Sequence, residues 1–205
     1  KLYILQTRSG KRTAAAAVKI AMDMLSEGLI DEKTAVLRVQ PEQLDSLLHP
    51  QLDVNAKKNA ELLTKGLPAS PGAAVGQIVF SAADAHDWKE NGKKVVLVRL
   101  ETSPEDIQGM IASEGILTAR GGMTSHAAVV ARGMGKCCVS GAGELVINEE
   151  VKTVSVNGKT LHEGDEISLD GSTGEVFNGA LNVVDPELSG DFEKLMQLAD
   201  KYRKL

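Results

Sequence analysis

Ala119-Arg120-Gly121-Gly122-Met123-Thr124-Ser125-His126-Ala127-Ala128-Val129-Val130-Ala131-Arg132 joins a strand-like run to a helix-like one through two glycines. A β-run, Gly115–Thr118, leads into it, and helical spacing runs from Ser125 to Arg132 before Gly133-Met134-Gly135 closes it. The two glycines between strand and helix permit a tight turn and close approach by another molecule. His126 is therefore expected at or just inside a helix N-terminus, where free N–H groups and the helix dipole favour an anion. The same field disfavours imidazolium and so favours a neutral, nucleophilic ring. A neutral imidazole nitrogen can attack phosphorus, and the phosphoryl group it gains would lie beside the helix-end donors. Thr124 and Ser125 add hydroxyls that can orient the ring or donate to a phosphoryl oxygen. Arg120 and Arg132 are the nearest cations in sequence, and guanidinium matches phosphate oxygens well. Ala127, Ala128 and Ala131 keep the helix slim enough to lie close on a sheet.

The same residues admit plainer readings. A histidine beside Gly-Gly can be structural, Ser125 can be the helix cap alone, and Arg132 can be a surface or salt-bridging residue. A metal centre is disfavoured. His126 precedes Cys137 by eleven residues, which matches no common zinc spacing, and Cys137 and Cys138, adjacent on a strand, should point to opposite faces. His49 precedes a proline, His86 stands among Asp and Ala, and His162 lies in a polar turn; none of these contexts suggests catalysis.

Working outward, strand-like runs follow one another at Ala73–Phe80, Val95–Leu100, Gly115–Thr118, Cys137–Ser140 and Val151–Val156. Glu166–Leu169 and Glu175–Phe177 flank Asp170-Gly171-Ser172-Thr173-Gly174, a hairpin signal with a longer loop than the tightest type. A short helix is expected after Ser103, with Pro104 at its first position and Asp106 completing an approximate capping box. Residues 13–66 read as helical: Thr13–Glu27 ending at Gly28, a second helix opened by Pro41 and stopped near His49-Pro50, and a third over Asn55–Lys65. The Pro- and Gly-rich Gly66-Leu67-Pro68-Ala69-Ser70-Pro71-Gly72 marks a boundary, and Pro186–Leu205 has helical spacing again. The expected organisation is an α/β (α+β) domain over 67–184, flanked by helical connectors over 13–66 and 185–205, with a strand-like end at 1–12. Lys1 opens inside a strand-like run, so the chain reads as a piece of something longer.

Composition narrows the function. With 205 residues, 42% apolar and 25% charged, the chain can build an ordinary packed core. Aromatics at 3% argue against base-stacking platforms, and a formal charge of -5 gives no general attraction to nucleic acid or anionic lipid. Two neighbouring cysteines make no disulfide framework and suggest a reducing, cytoplasmic setting. No apolar run is long enough to span a bilayer.

The string from Gly121 to Gly141 resembles the phosphohistidine signature of the PEP-utilising enzymes. Within that family, Met123 before Thr124-Ser125-His126 and the tail Gly135-Lys136-Cys137-Cys138-Val139 are similar to the branch that interconverts ATP, phosphate and pyruvate with AMP, pyrophosphate and PEP. PEP synthase, and an ATP-independent carrier of the Enzyme I type, are the alternatives. Leu5-Gln6-Thr7-Arg8 with Gly10-Lys11-Arg12-Thr13 resembles the last strand of that branch's ATP-grasp domain. The resemblance covers essentially the whole chain. It implies a swivelling β/β/α domain in which His126 carries pyrophosphoryl and phosphoryl groups, supported by Gly121, Gly122, Thr124, Ser125 and Arg132. It further implies that Gln6 and Arg8 reach the nucleotide phosphates, with Gln6 also near a metal. Thr124 matches a regulatory phosphorylation position of plant members, a role not expected here. The full-length protein would use Mg2+ and a monovalent cation, and the piece alone would bind neither. Its partners would be the ATP-grasp and PEP/pyruvate-binding domains of the same protein and their small substrates, in a homodimer built through another domain. By itself the piece should not turn over.

Overall fold

A computed structural model describes residues 3, 6, 12–185 and 190–203 of the chain, with backbone alone at 42 and 46. In chain order the elements are α1 (Ala14–Ser26), α2 (Glu32–Leu37), α3 (Pro41–Leu47), β1 (Gln51–Leu52), α4 (Val54–Asn59), β2 (Leu62–Lys65), β3 (Leu67–Ser70), β4 (Ala73–Val79) and α5 (Ala82–Glu90). Then come β5 (Val95–Arg99), a 3-10 turn at Pro104–Asp106, α6 (Ile107–Ala112), β6 (Gly115–Thr118), α7 (His126–Gly133) and β7 (Cys137–Ser140). The remainder is β8 (Val146–Asn148), β9 (Thr153–Val156), β10 (Lys159–His162), β11 (Glu166–Asp170), β12 (Glu175–Asn178), β13 (Val183–Val184) and α8 (Gly190–Tyr202). They fall into two units, Lys1–Leu48 with Glu187–Leu205, and His49–Pro186.

The first unit is helical. Thr13 caps α1 by accepting from Ala16 N at 3.3 Å, and Asp31 caps α2 by accepting from Thr34 N at 2.7 Å. Pro41 opens α3, as the sequence suggested. Val18, Ala21, Met22, Val39, Phe192 and Leu195 share one buried cluster, so α1 and α8 lie in one core. The two stretches expected as separate connectors therefore pack together. Their apolar faces are too wide to leave in water.

The second unit holds His126, and here the expected boundary at Gly66 is corrected. Residues 49–66 are not helical throughout: only α4 is, and Leu62–Lys65 forms β2, paired with β12. The large sheet has the order β2-β12-β11-β4-β5-β6-β7-β3. Its first and last strands are consecutive pieces of chain on either side of Gly66, so the two ends of the sheet are brought together. A Cβ at Gly66 would stand 2.8 Å from Ser140 O and from Val139 Cγ1, which is why glycine makes the bend. β4, β5, β6 and β7 run parallel, while β11, β12, β2 and β3 are antiparallel to their neighbours.

Alternation along the parallel strands builds the layers. Val96 and Val98 point into one cluster with Phe80, Ile167 and Leu169, where Val154, Val156 and Leu161 of the small sheet β10-β9-β8 also lie. Val95 and Leu97 point the other way, among Ala85, Met110, Ala127 and Ala131 of α5, α6 and α7. Small sheet, large sheet and helices make three layers. This is the expected β/β/α arrangement, an α/β fold.

Lys57 on α4 fixes that helix to the hairpin of β11 and β12: its Nζ lies 2.5 Å from Asp170 Oδ2 and 2.8 Å from Glu175 Oε2. Burial pushes the Glu175 carboxyl up, but hydrogen bonds from Lys57 and Thr173 outweigh it and hold the group below its usual range. Burial likewise pulls Lys57 down, and its bonds to Asp170 and Glu175 outweigh that, raising it. The depressed Glu175 contributes stability above its unfolded value of about 4.3, lost as pH falls through its folded value. The raised Lys57 contributes stability below about 10.4, lost as pH rises through its folded value. Lys57→Met should cost about 2 kcal/mol at pH 7, because a buried and a half-buried carboxylate lose their cation. In urea unfolding the cost should shrink as pH is lowered below the usual carboxylate range and Glu175 takes up its proton; a cost that does not change with pH would contradict the assignment.

Candidate functional site

The site forms where the parallel strands end. Beyond Thr118 the ladder with β5 continues through Ala119 N to Arg99 O (3.1 Å) and Arg120 N to Leu100 O (2.8 Å), so two successive strand ends are held side by side. The chain then turns at Gly121, whose φ is 113°. A Cβ there would meet Ser125 Cβ and Oγ at 2.9 Å, and a Cβ on Gly141 would meet Gly121 O at 2.5 Å. Both positions need glycine. Gly122 faces open space, and its carbonyl accepts from Ser125 N at 3.0 Å.

Ser125 is the N-cap of α7: its Oγ accepts from Ala128 N at 3.4 Å and its carbonyl from Val129 N at 3.0 Å. His126 is the first residue of the helix, and the helix supplies no acceptor for the first amides of its opening turn. Ala127, Ala128 and Ala131 are buried against the sheet, as their size suggested. The His126 ring is half-buried, at the edge of the core and not sealed within it. Its Nδ1 lies 3.0 Å from Thr102 Oγ1, and Thr102 is only 9% exposed.

Thr102 was not among the residues singled out in the sequence. Its loop follows β5 and is braced by Asp106, which accepts from Ser103 N at 2.8 Å and lies 3.7 Å from Arg99 Nη2. Arg99 also donates to Phe80 O at 3.0 Å. A signal did exist: loops leaving the carboxyl ends of neighbouring parallel strands converge, so a hydroxyl shortly after β5 was a candidate neighbour for the loop after β6.

The other anticipated residues divide. Thr124 is exposed, two residues before His126, and Arg120 is exposed with no side-chain partner among the described residues. Arg132 donates from Nε to Ala69 O at 2.9 Å and from Nη2 to Met123 O, so its guanidinium is engaged by main chain. Gln6 is exposed and belongs to the helical unit, while Arg8 and, apart from Tyr3, the strand expected over Lys1–Leu5 lie outside the described residues. Cys137 and Cys138 join the two opposite core clusters, and burial pushes both thiols up, Cys138 to about 12. Buried, protonated thiols are neither nucleophiles nor metal ligands. Among the described residues no group of three or more His, Cys, Asp or Glu is placed to hold a metal ion, and no helix is long and apolar enough to cross a membrane.

Residues 91–174, which contain β5 through the turn before β12, match the family described as PEP-utilising enzyme, mobile domain. Over all 205 residues the chain is 58% identical to pyruvate, phosphate dikinase of Clostridium symbiosum, 57% to that of Rhizobium meliloti (strain 1021) and 55% to the chloroplastic protein of Flaveria pringlei. It spans 24%, 23% and 21% of those proteins, about a quarter of their length. The matched segment thus presents His126 at a helix start, with its Nδ1 beside the Thr102 hydroxyl.

Thr102→Val removes the oxygen beside Nδ1 at almost constant volume. The imidazole 15N shifts of His126 should move toward those of a ring free to exchange tautomers, with stability changed by about 1 kcal/mol or less. Unaltered 15N shifts would show that Thr102 does not hold the ring.

Proposed function

We propose that the chain is the phosphohistidine-carrying segment of a pyruvate, phosphate dikinase, with His126 as the carrier. The observation that carries this is the 3.0 Å contact of Thr102 Oγ1 with Nδ1 at the first residue of α7. With Nδ1–H donated to the Thr102 oxygen, a neutral ring holds its lone pair on Nε2, the nitrogen left for attack. In the forward reaction Nε2 attacks the β-phosphorus of ATP; the N–P bond forms, the α,β-bridging P–O bond breaks, and AMP leaves. Inorganic phosphate then takes the terminal phosphoryl group to give pyrophosphate, and the enolate oxygen of pyruvate takes the remaining one to give PEP. Helix-end amides and the exposed Thr124 hydroxyl are suited to hold the transferred group's oxygens.

Gln6 and Arg8 are assigned to the nucleotide phosphates, by resemblance alone. Mg2+ would neutralise phosphate charge; of this chain's residues only Gln6 is assigned near it, and its other ligands and the monovalent cation belong to the ATP-grasp and PEP/pyruvate-binding domains of a longer, homodimeric protein. The buried, unpaired cysteines suit a reducing compartment such as the cytoplasm.

In the full-length protein, ATP labelled at the β-phosphorus should give an acid-labile phosphoenzyme that His126→Asn abolishes, and phosphate-dependent turnover should release pyrophosphate. A normally labelled H126N protein would move the carrier elsewhere. Labelling without pyrophosphate formation would point to PEP synthase chemistry, and labelling by PEP alone to an ATP-independent carrier.

A further inference from the structure

Arg132 has a task in the fold that its charge alone does not suggest. β3 pairs with β7 irregularly: Pro68 faces Val139 and Ser70 faces Cys138, which leaves Ala69 without a partner residue. Ala69 is 1% exposed, so its carbonyl needs a donor from within the protein. Arg132 supplies it through Nε at 2.9 Å, and the same guanidinium donates through Nη2 to Met123 O, three residues before the histidine. The Cys138 thiol also feels this cation, which works against the rise caused by burial.

Holding that carbonyl has a geometric consequence. A peptide unit is planar and trans, so a Met123 C=O fixed toward Arg132 points the Thr124 N–H the opposite way. The Gly122 carbonyl is fixed too, by Ser125 N at 3.0 Å and Ser140 Oγ at 3.5 Å, which sets the direction of the Met123 N–H. Two consecutive amides of the histidine loop are aimed by carbonyls held from behind.

We propose that Arg132 is a positioning residue, its guanidinium tying the bulged β3 strand to the loop before His126 so that the loop's amides keep one orientation. It acts through the loop and does not touch the transferred group, and this rests on the phosphohistidine reading above. Arginine suits the task because Nε and Nη2 form a rigid fork; a lysine ammonium, a single point on a flexible stem, cannot serve both carbonyls in the same geometry.

The test compares Arg132→Lys with the parent in the full-length protein, using ATP labelled at the β-phosphorus. The labelling rate at saturating ATP should fall about tenfold or more, since small misplacements at a reacting centre are costly. The ATP concentration for half-maximal rate should not change. Hydrogen exchange in a peptide covering residues 121–126 should quicken, while exchange in β5 stays as in the parent, showing that the fold is intact. Should R132K unfold, Arg132→Gln, whose amide still donates to Ala69 O, takes its place in the same comparison. A parental labelling rate, or a raised half-saturation with loop exchange unmoved, would overturn the positioning role. H126N measured alongside separates the two claims: if it still labels, the phosphohistidine reading fails, and if it does not while R132K labels normally, only the role of Arg132 fails.

Discussion

The contact between Thr102 Oγ1 and His126 Nδ1 joins two loops that the sequence keeps 24 residues apart. An imidazole has two nitrogens, and a carrier needs one of them committed and the other available. A ring free to rotate and to exchange tautomers would spread its lone pair over two positions and many directions. A 9% exposed hydroxyl beside Nδ1 restrains the ring's rotation and leaves it half-buried, and on the proposed reading it also selects the tautomer. The rest of the unit His49–Pro186 can be understood as what keeps these two loops in register.

That support is built in layers. β5 and β6 run parallel from Val96↔Gly115 to Arg99↔Thr118, so their ends, and the loops that leave them, are fixed relative to each other before any side chain is considered. Asp106 and Arg99 brace the Thr102 loop, and Gly121, Gly141 and Ser125 shape the His126 loop. Leu62–Ser70 supplies the strands at both ends of the large sheet. Alanines at 127, 128 and 131 let α7 settle close to that sheet. A firmly supported His126 at the edge of the core is what the proposed carrier role requires.

Much of this was legible from residues alone. Gly115–Thr118 and Cys137–Ser140 are strands with the bounds expected, because their flanking glycines and dense apolar runs leave little choice. The Gly-Gly turn and the start of α7 were equally plain. Other features were not. α5 has one buried residue, Ala85, and α2 has one, Ala35, too few to leave an apolar period. Leu62–Lys65 extends an apparently helical stretch and becomes a strand only because β12, more than a hundred residues later, pairs with it. The Thr102 contact and the engagement of Arg132 by Ala69, 63 residues away, exist only once the sheet has brought distant segments together. Local pattern predicts elements; it cannot see which carbonyl a bulge will leave without a partner.

On the proposed reading, Thr102 holds Nδ1 and Nε2 is the nitrogen that reacts. The most direct measurement is 15N and 31P NMR of the protein labelled with 15N-histidine and phosphorylated from ATP. A phosphorus–nitrogen coupling to Nε2 of His126 is expected, with Nδ1 still bearing its proton. Phosphorus bonded to Nδ1, or to a different residue, would contradict it.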